Sequence, residues 1–236
     1  MITVNDILKD LNLNSSRIIR KPVSKEIWDM KEMMKAFQRI GSKWVPIYAI
    51  DQSNEHCIHN LVSWLLNDPE MTAIEPNSGR LVKGRLDKGI YLAGNTGSGK
   101  SLVMKILAMM ESKIGIAGTD KIPTWIEVRA DEVVSEFAAN GYESLAFYKK
   151  APVLCIQDLG AEPNEVLYMG NRVNVMKLIL ESRGDRLDQM TLITSNLPIN
   201  CQENVARYGE RVVSRLMEMC NYLTLVGEDR RIHAGR

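Results

Sequence analysis

Gly94-Asn95-Thr96-Gly97-Ser98-Gly99-Lys100-Ser101 decides the reading of this chain. Its spacing is G-x-x-x-x-G-K-[ST], in which a glycine-rich turn brings consecutive backbone N–H groups against phosphate oxygens. Lys100 can reach β- and γ-phosphates, and the Ser101 hydroxyl can ligate Mg²⁺. The flanks agree with this. Ile90-Tyr91-Leu92-Ala93 is a short apolar run that reads as a buried strand. Ser101 to Met110 reads as a helix, whose N-terminal N–H groups and dipole favour an anion. The stretch therefore predicts a nucleoside triphosphate site built from Gly94, Asn95, Thr96, Gly97, Ser98, Gly99, Lys100 and Ser101.

The remainder of the composition narrows the class. The chain has 236 residues, 45% hydrophobic and 25% charged, enough for one ordinary domain plus an appendage. A net charge of +1 gives no global attraction to nucleic acid, so any such contact must come from a local patch. No run of 18 apolar residues is present, and Met1-Ile2-Thr3-Val4 begins no secretory leader. A cytoplasmic protein with no membrane contact is expected. Cys57, Cys155, Cys201 and Cys220 are scattered and read as reduced thiols. His56, Cys57 and His59 look like metal ligands, but Cys57 lies about 100° around the helix from His56. No second cluster completes a closed zinc site.

The pattern divides near residue 75, into a helical region 1–75 that could bind a partner and an α/β domain 76–236. Helical periodicity covers Val4–Leu13, Ser24–Ile40 and Ser53–Asn67. In the second of these, Ile27, Met30, Met34 and Phe37 form one apolar stripe, with Ser24 as N-cap and Gly41 as stop. The methionines suit either a core or a partner surface. Asn67–Lys88, with Pro69 and Pro76, reads as loop or linker. Strands and helices then alternate, which predicts a parallel sheet flanked by helices. The expected strands are Ile90–Ala93, Thr124–Val128, Val153–Ile156, Met190–Thr194 and Leu223–Val226. The expected helices run to Met110, onward from Asp131, over Val173–Ser182 and from Asn204 to Met219.

Chemistry at a triphosphate needs an acid beside Mg²⁺, a group to orient water, and a cation for the transition state. Val153-Leu154-Cys155-Ile156-Gln157-Asp158 is an apolar strand whose acid, Asp158, should lie at the sheet edge beside the phosphates. Asn196 ends the next apolar strand, and its amide can both donate and accept. Arg211 and Arg215 share one helix face. Phe147-Tyr148-Lys149-Lys150 mixes aromatic and basic character, as a single-strand contact at Lys149 and Lys150 requires, though a solvated helix end fits equally well.

Together these segments resemble the helicase-loader branch of the AAA+ ATPases, the DnaC/IstB-like family, over residues 85–231. The stretch 94–101 resembles its Walker A motif, and Leu154-Cys155-Ile156-Gln157-Asp158-Leu159-Gly160-Ala161-Glu162 its Walker B motif with a trailing glutamate. Ile193-Thr194-Ser195-Asn196 is similar to sensor 1. Tyr208-Gly209-Glu210-Arg211-x-x-Ser214-Arg215-Leu216 is similar to the arginine-finger segment, and Gly227-x-Asp229-x-Arg231 to the segment of the sensor 2 arginine. The resemblance implies a P-loop NTPase fold of the ASCE/AAA+ type that uses ATP and Mg²⁺. It implies catalytic roles for Asp158, Asn196 and Arg215, and nucleotide contact by Arg231. It also implies side-by-side self-assembly through the nucleotide, and a role in loading a hexameric replicative helicase onto single-stranded DNA. A transposition helper ATPase is the related alternative.

One position departs from the family pattern. Two consecutive acids normally follow the apolar run, but Gln157 takes the first place and Asp158 the second. Alternation along a strand turns neighbours to opposite faces, so Asp158 should not simply replace the missing acid. The metal then falls to Ser101 with either Gln157 or Asp158. Slow hydrolysis is expected, up to a nucleotide-gated binding module that scarcely turns over, and an aspartate at 157 should raise turnover.

Overall fold

The structure, a computed structural model, describes residues 29–114, 125–186 and 188–227. Two helices come first, α1 (Met30–Trp44) and α2 (Glu55–Leu65), followed by an antiparallel hairpin of β1 (Thr72–Ile74) and β2 (Leu81–Lys83). The alternating part comprises β3 (Gly89–Ala93), α3 (Lys100–Ile114), β4 (Trp125–Arg129), α4 (Ala130–Asn140), α5 (Leu145–Lys150) and β5 (Val153–Leu159). A second hairpin, β6 (Val166–Tyr168) and β7 (Asn171–Val173), precedes α6 (Val175–Gly184) and β8 (Met190–Ser195). The described chain closes with α7 (Gln202–Tyr208), α8 (Glu210–Met219) and β9 (Cys220–Thr224).

Seven strands form one sheet in the order β2-β1-β9-β3-β8-β5-β4. The five strands from β9 to β4 are mutually parallel, and β1 joins β9 antiparallel. This is a mixed α/β fold with a mostly parallel sheet between helical layers. Strand alternation sorts the side chains between those layers. Ile90, Leu92, Cys155 and Leu192 pack with Phe37, Leu61, Trp64, Val103 and Leu107 on one face. Tyr91, Leu154, Ile156 and Ile193 pack with Phe137, Met176, Leu180, Val212 and Leu216 on the other.

Several boundaries differ from the sequence reading. The expected division near residue 75 does not separate two cores, because Met33, Phe37, Ile58 and Trp64 are buried in the cluster that holds Ile90 and Val103. Trp64 Nε1 also donates to the Lys88 carbonyl at 2.8 Å. Phe37 of the α1 stripe is buried in that cluster, with Met30 and Met34 packed against it and Met33, off the stripe, buried as well. Gly41 does not stop α1. A Cβ there would lie 2.2 Å from the Tyr48 ring, so glycine lets that ring close over the helix. The presumed linker 67–88 contains β1 and β2, whose three-residue strands are too short for a periodic signal. The helix expected over 204–219 breaks at Gly209, whose φ of +87° turns the chain between α7 and α8. The patterns at 4–13 and 24–28, and Arg231, lie outside the described residues.

Candidate functional site

The parallel strands β3, β5 and β8 end together at one sheet edge, where three sequence-distant segments meet. Gly97 and Gly99 carry the positive φ values of +79° and +94° that let the 94–101 loop wrap back on itself. Lys100 Nζ donates to the carbonyls of Gly94 at 2.7 Å and Asn95 at 2.9 Å, and to Asn196 Oδ1 at 2.8 Å. Sequence positions 100 and 196 are thereby joined directly. Lys100 is only 5% exposed, yet it borders an open cavity of about 1430 Å³.

That cavity has a polar end at the 94–101 loop and a mixed wall from the α1–α2 connection. Asn95, Thr96, Gly97, Gly99, Lys100, Ser101, Arg129, Asp158 and Asn196 form the polar end. The α1–α2 connection lines the cavity with Val45, Ile47, Tyr48 and Ala49 and also with the polar Asp51, Gln52 and Ser53, and Val226 lines it from beyond β9. Neither this wall nor Arg129 was foreseen from sequence. Arg129 ends β4 as Asp158 ends β5, and the rule that parallel strands deliver ligands at their C-terminal edge could have found it. The wall carries no local motif at all.

Asp158 lies on the cavity because β5 is irregular. Its ladder with β8 pairs Ile156 with Ile193 but Leu159 with Ser195, so one extra residue is accommodated. Asp158 has φ +56°, which an aspartate tolerates, and its N–H donates to Thr194 Oγ1 at 3.0 Å. Strict alternation therefore fails here, and Asp158 reaches the cavity that holds Lys100 and Ser101. Its carboxylate accepts from Arg129 Nη1 at 3.0 Å, and Arg129 in turn pairs with Asp131 at 3.0 Å.

Gln157 behaves otherwise. It is buried at 4% exposure, and its Nε2 donates to Glu127 Oε1 at 2.5 Å across the β4–β5 ladder. Burial holds the Glu127 carboxyl above the usual carboxylate range, partly countered by the charge of Lys105 on α3. An aspartate at 157 therefore meets an acid already in place. Ser101 and Asp158 offer the hard oxygen donors that Mg²⁺ takes beside phosphates, so the polar end fits a metal-bound triphosphate.

The remaining expected site residues lie elsewhere. Arg215 does not border the cavity of its own chain. Its Nη2 contacts Asp185 Oδ1 at 2.5 Å and its Nη1 contacts Glu218 Oε2 at 3.3 Å, while Arg211 stands 4.0 Å from Asp185. Lys149 and Lys150 end α5, away from the cavity. Of their aromatic neighbours, Phe147 is exposed, whereas Tyr148 is buried and donates its hydroxyl to Glu136. Glu162, the trailing glutamate, is buried and accepts from the Gly160 N–H at 2.8 Å and from the Tyr208 hydroxyl at 2.6 Å.

The sheet order, with a phosphate loop after β3 and polar strand ends beside it, can be set against solved structures. A primosome component from Streptococcus pyogenes serotype M3 superposes with a TM-score of 0.53 at 21% identity, covering 77% of this chain and 84% of that one. The DnaC helicase loader superposes with a TM-score of 0.51 at 19% identity, covering 76% and 94%. The chain shares the fold of these proteins, a mostly parallel α/β sheet with flanking helices. A DNA replication initiation factor superposes over part of its length, with a TM-score of 0.50, 13% identity, and coverage of 77% and 48%. No protein-family model matches the sequence, and no curated protein matches it. Among the described residues no helix is long and apolar enough to cross a membrane.

Proposed function

We propose that this protein binds ATP with Mg²⁺ in the cavity between the 94–101 loop and the α1–α2 connection. The observation that carries this reading is the junction of Lys100 with Asn196 at the polar end of that cavity. Phosphates take the loop N–H groups and the Lys100 ammonium, which exchanges its carbonyl acceptors for anionic oxygens of greater hydrogen-bond strength. Ser101 and Asp158 supply oxygen to the metal side, and Asn196 orients water or the γ-phosphate. The base takes the α1–α2 side of the cavity, where Ile47, Tyr48 and Val226 offer apolar surface. Bound Mg²⁺ supplies charge neutralisation at the phosphates.

We place the protein in DNA replication, as a loader that assembles side by side and delivers a hexameric helicase to single-stranded DNA. The fold it shares with the DnaC loader and the primosome component supports that reading, together with the ordered motifs of residues 94–216. Arg215 then serves the nucleotide of a neighbouring copy. The Gln157–Glu127 bond favours a second reading of the cycle, in which ATP gates assembly and is hydrolysed slowly. Titration with fluorescent ATP tests the first step. A single-stranded DNA loading assay with the replicative helicase of the same cell tests the second. Absence of ATP binding, or loading that does not respond to this protein, removes the respective proposal.

A further inference from the structure

The acid missing at position 157 has a counterpart one strand away. Gln157 follows Val153 and Cys155 on the face of β5 that packs with Val103, Ile106 and Leu107 of α3, the helix that begins with Lys100 and Ser101. The β4–β5 ladder holds its register through Arg129 and Gln157, so this orientation is not disturbed by the irregularity that follows. Glu127 stands on the adjacent strand, close enough to Lys105 of α3 to feel its charge. An ionised carboxylate only accepts hydrogen bonds, so it can face only the nitrogen of the Gln157 amide. That contact fixes the amide orientation. Its other atom, Oε1, has no hydrogen-bond partner among the described residues. Oε1 is also the one side-chain atom of glutamine able to ligate a hard cation.

We propose that Glu127 is a positioning residue for the metal. It locks the Gln157 amide so that Oε1 is left unpaired as a neutral oxygen ligand, and it supplies from β4 the negative charge that a carboxylate at 157 would have carried. Acid and ligand are thus divided between two strands. Partners of this kind, which orient a ligand and raise its basicity, are commonly worth roughly ten- to a hundredfold in metal affinity. The inference rests on the nucleotide reading above, and its test separates the two.

The experiment compares the affinity of a fluorescent ATP analogue in EDTA with its affinity at stepped Mg²⁺ concentrations. The ratio, the magnesium gain, is independent of turnover. In Glu127→Gln the affinity in EDTA and the thermal midpoint should hold, while the magnesium gain falls roughly tenfold or more. Gln157→Asp alone should not exceed the native gain, because two carboxylates then oppose each other across the strands. The double variant Glu127→Gln/Gln157→Asp returns the acid to β5 and should recover at least the native gain. An unchanged gain in Glu127→Gln overturns the proposal. So does a native gain of zero, or a gain that Gln157→Asp alone raises as far as the double variant does. A gain lost in Asp158→Asn but kept in Glu127→Gln assigns the metal to Asp158 instead. Native protein that binds no analogue even in EDTA removes the nucleotide reading itself.

Discussion

The Tyr208 hydroxyl donates to the Glu162 carboxylate at 2.6 Å, joining two segments 46 residues apart in the chain. Glu162 also accepts from the Gly160 N–H and forms an ion pair with Arg207 at 3.5 Å. The loop after Asp158 is thereby tied to the turn at Gly209, from which α8 carries Arg211 and Arg215. Burial next to this acid pushes the Tyr208 hydroxyl well above the ordinary tyrosine range, so it stays a donor at any working pH. Tyr208→Phe should lower stability by about 1–2 kcal/mol, since a buried carboxylate loses one partner. Glu162→Ala should cost more. Urea denaturation of both variants checks the order.

Lys100→Ala should abolish tight ATP binding, read by titration with a fluorescent analogue. The ammonium is also a structural link, because it holds Gly94, Asn95 and Asn196 together. A modest loss of stability, about 1–3 kcal/mol, is therefore expected in the absence of nucleotide as well. A variant with native ATP affinity would sink the phosphate-loop assignment.

Arg129 puts a half-exposed cation at the cavity, shared between Asp158 and Asp131. Exposed pairs of this kind contribute little to folding, so Arg129→Ala should leave stability within about 1 kcal/mol. ATP affinity should fall several-fold at low ionic strength, and the difference should shrink at high salt as the phosphate charge is screened. An affinity insensitive to both the substitution and the salt would place Arg129 outside the nucleotide's reach.

Arg215 is held in its own chain by Asp185 and Glu218, away from the cavity. If it completes the site of a neighbour, activity should rise steeply with protein concentration. Arg215→Ala and Lys100→Ala should each be nearly inert, since a finger in trans is worth roughly 10³ to 10⁵ in rate. Mixing the two should restore some turnover, because a mixed contact can pair an intact loop with an intact arginine. No recovery in mixtures shown to co-assemble would assign Arg215 to surface ion pairing alone.

Arg183 is 1% exposed and reaches four acceptors: Thr191 Oγ1 and the carbonyls of Tyr148, Ala151 and Met190. It pins α6 to the starts of β5 and β8, so it aligns the strands whose far ends carry Asp158 and Asn196. Burial lowers its pKa to about 10, and it remains charged at neutral pH. Arg183→Met should destabilise by about 2–4 kcal/mol by leaving buried carbonyls unpaired. Thermal denaturation with and without ATP measures the effect; a midpoint equal to that of the native protein would refute it.

The glycine turn of 94–101, the strands β3, β4, β5 and β8 and the polar ends of β5 and β8 were legible in the sequence, because each is a local pattern, whereas β9 starts three residues before the run expected at 223–226. A turn needs its glycines, a buried strand needs its apolar run, and a strand end needs only its position along the chain. Lys100 and Asn196 could be named for that reason, although 96 positions separate them. What tertiary structure alone decided depends on which elements become neighbours. Gln157 meets Glu127 only because β4 lies beside β5. Asp158 reaches the cavity only because β5 takes an extra residue against β8, which defeats the alternation that sequence reasoning must assume. Val45 to Ala49 become a wall only because α1 and α2 fold onto the sheet, whose strands all come later in the chain, so a region read as separate became part of the site. Contacts across strands and between layers leave no periodic trace in any one segment, and here they settle the surroundings of Asp158, of the Gln157 amide and of the cavity wall from the α1–α2 connection.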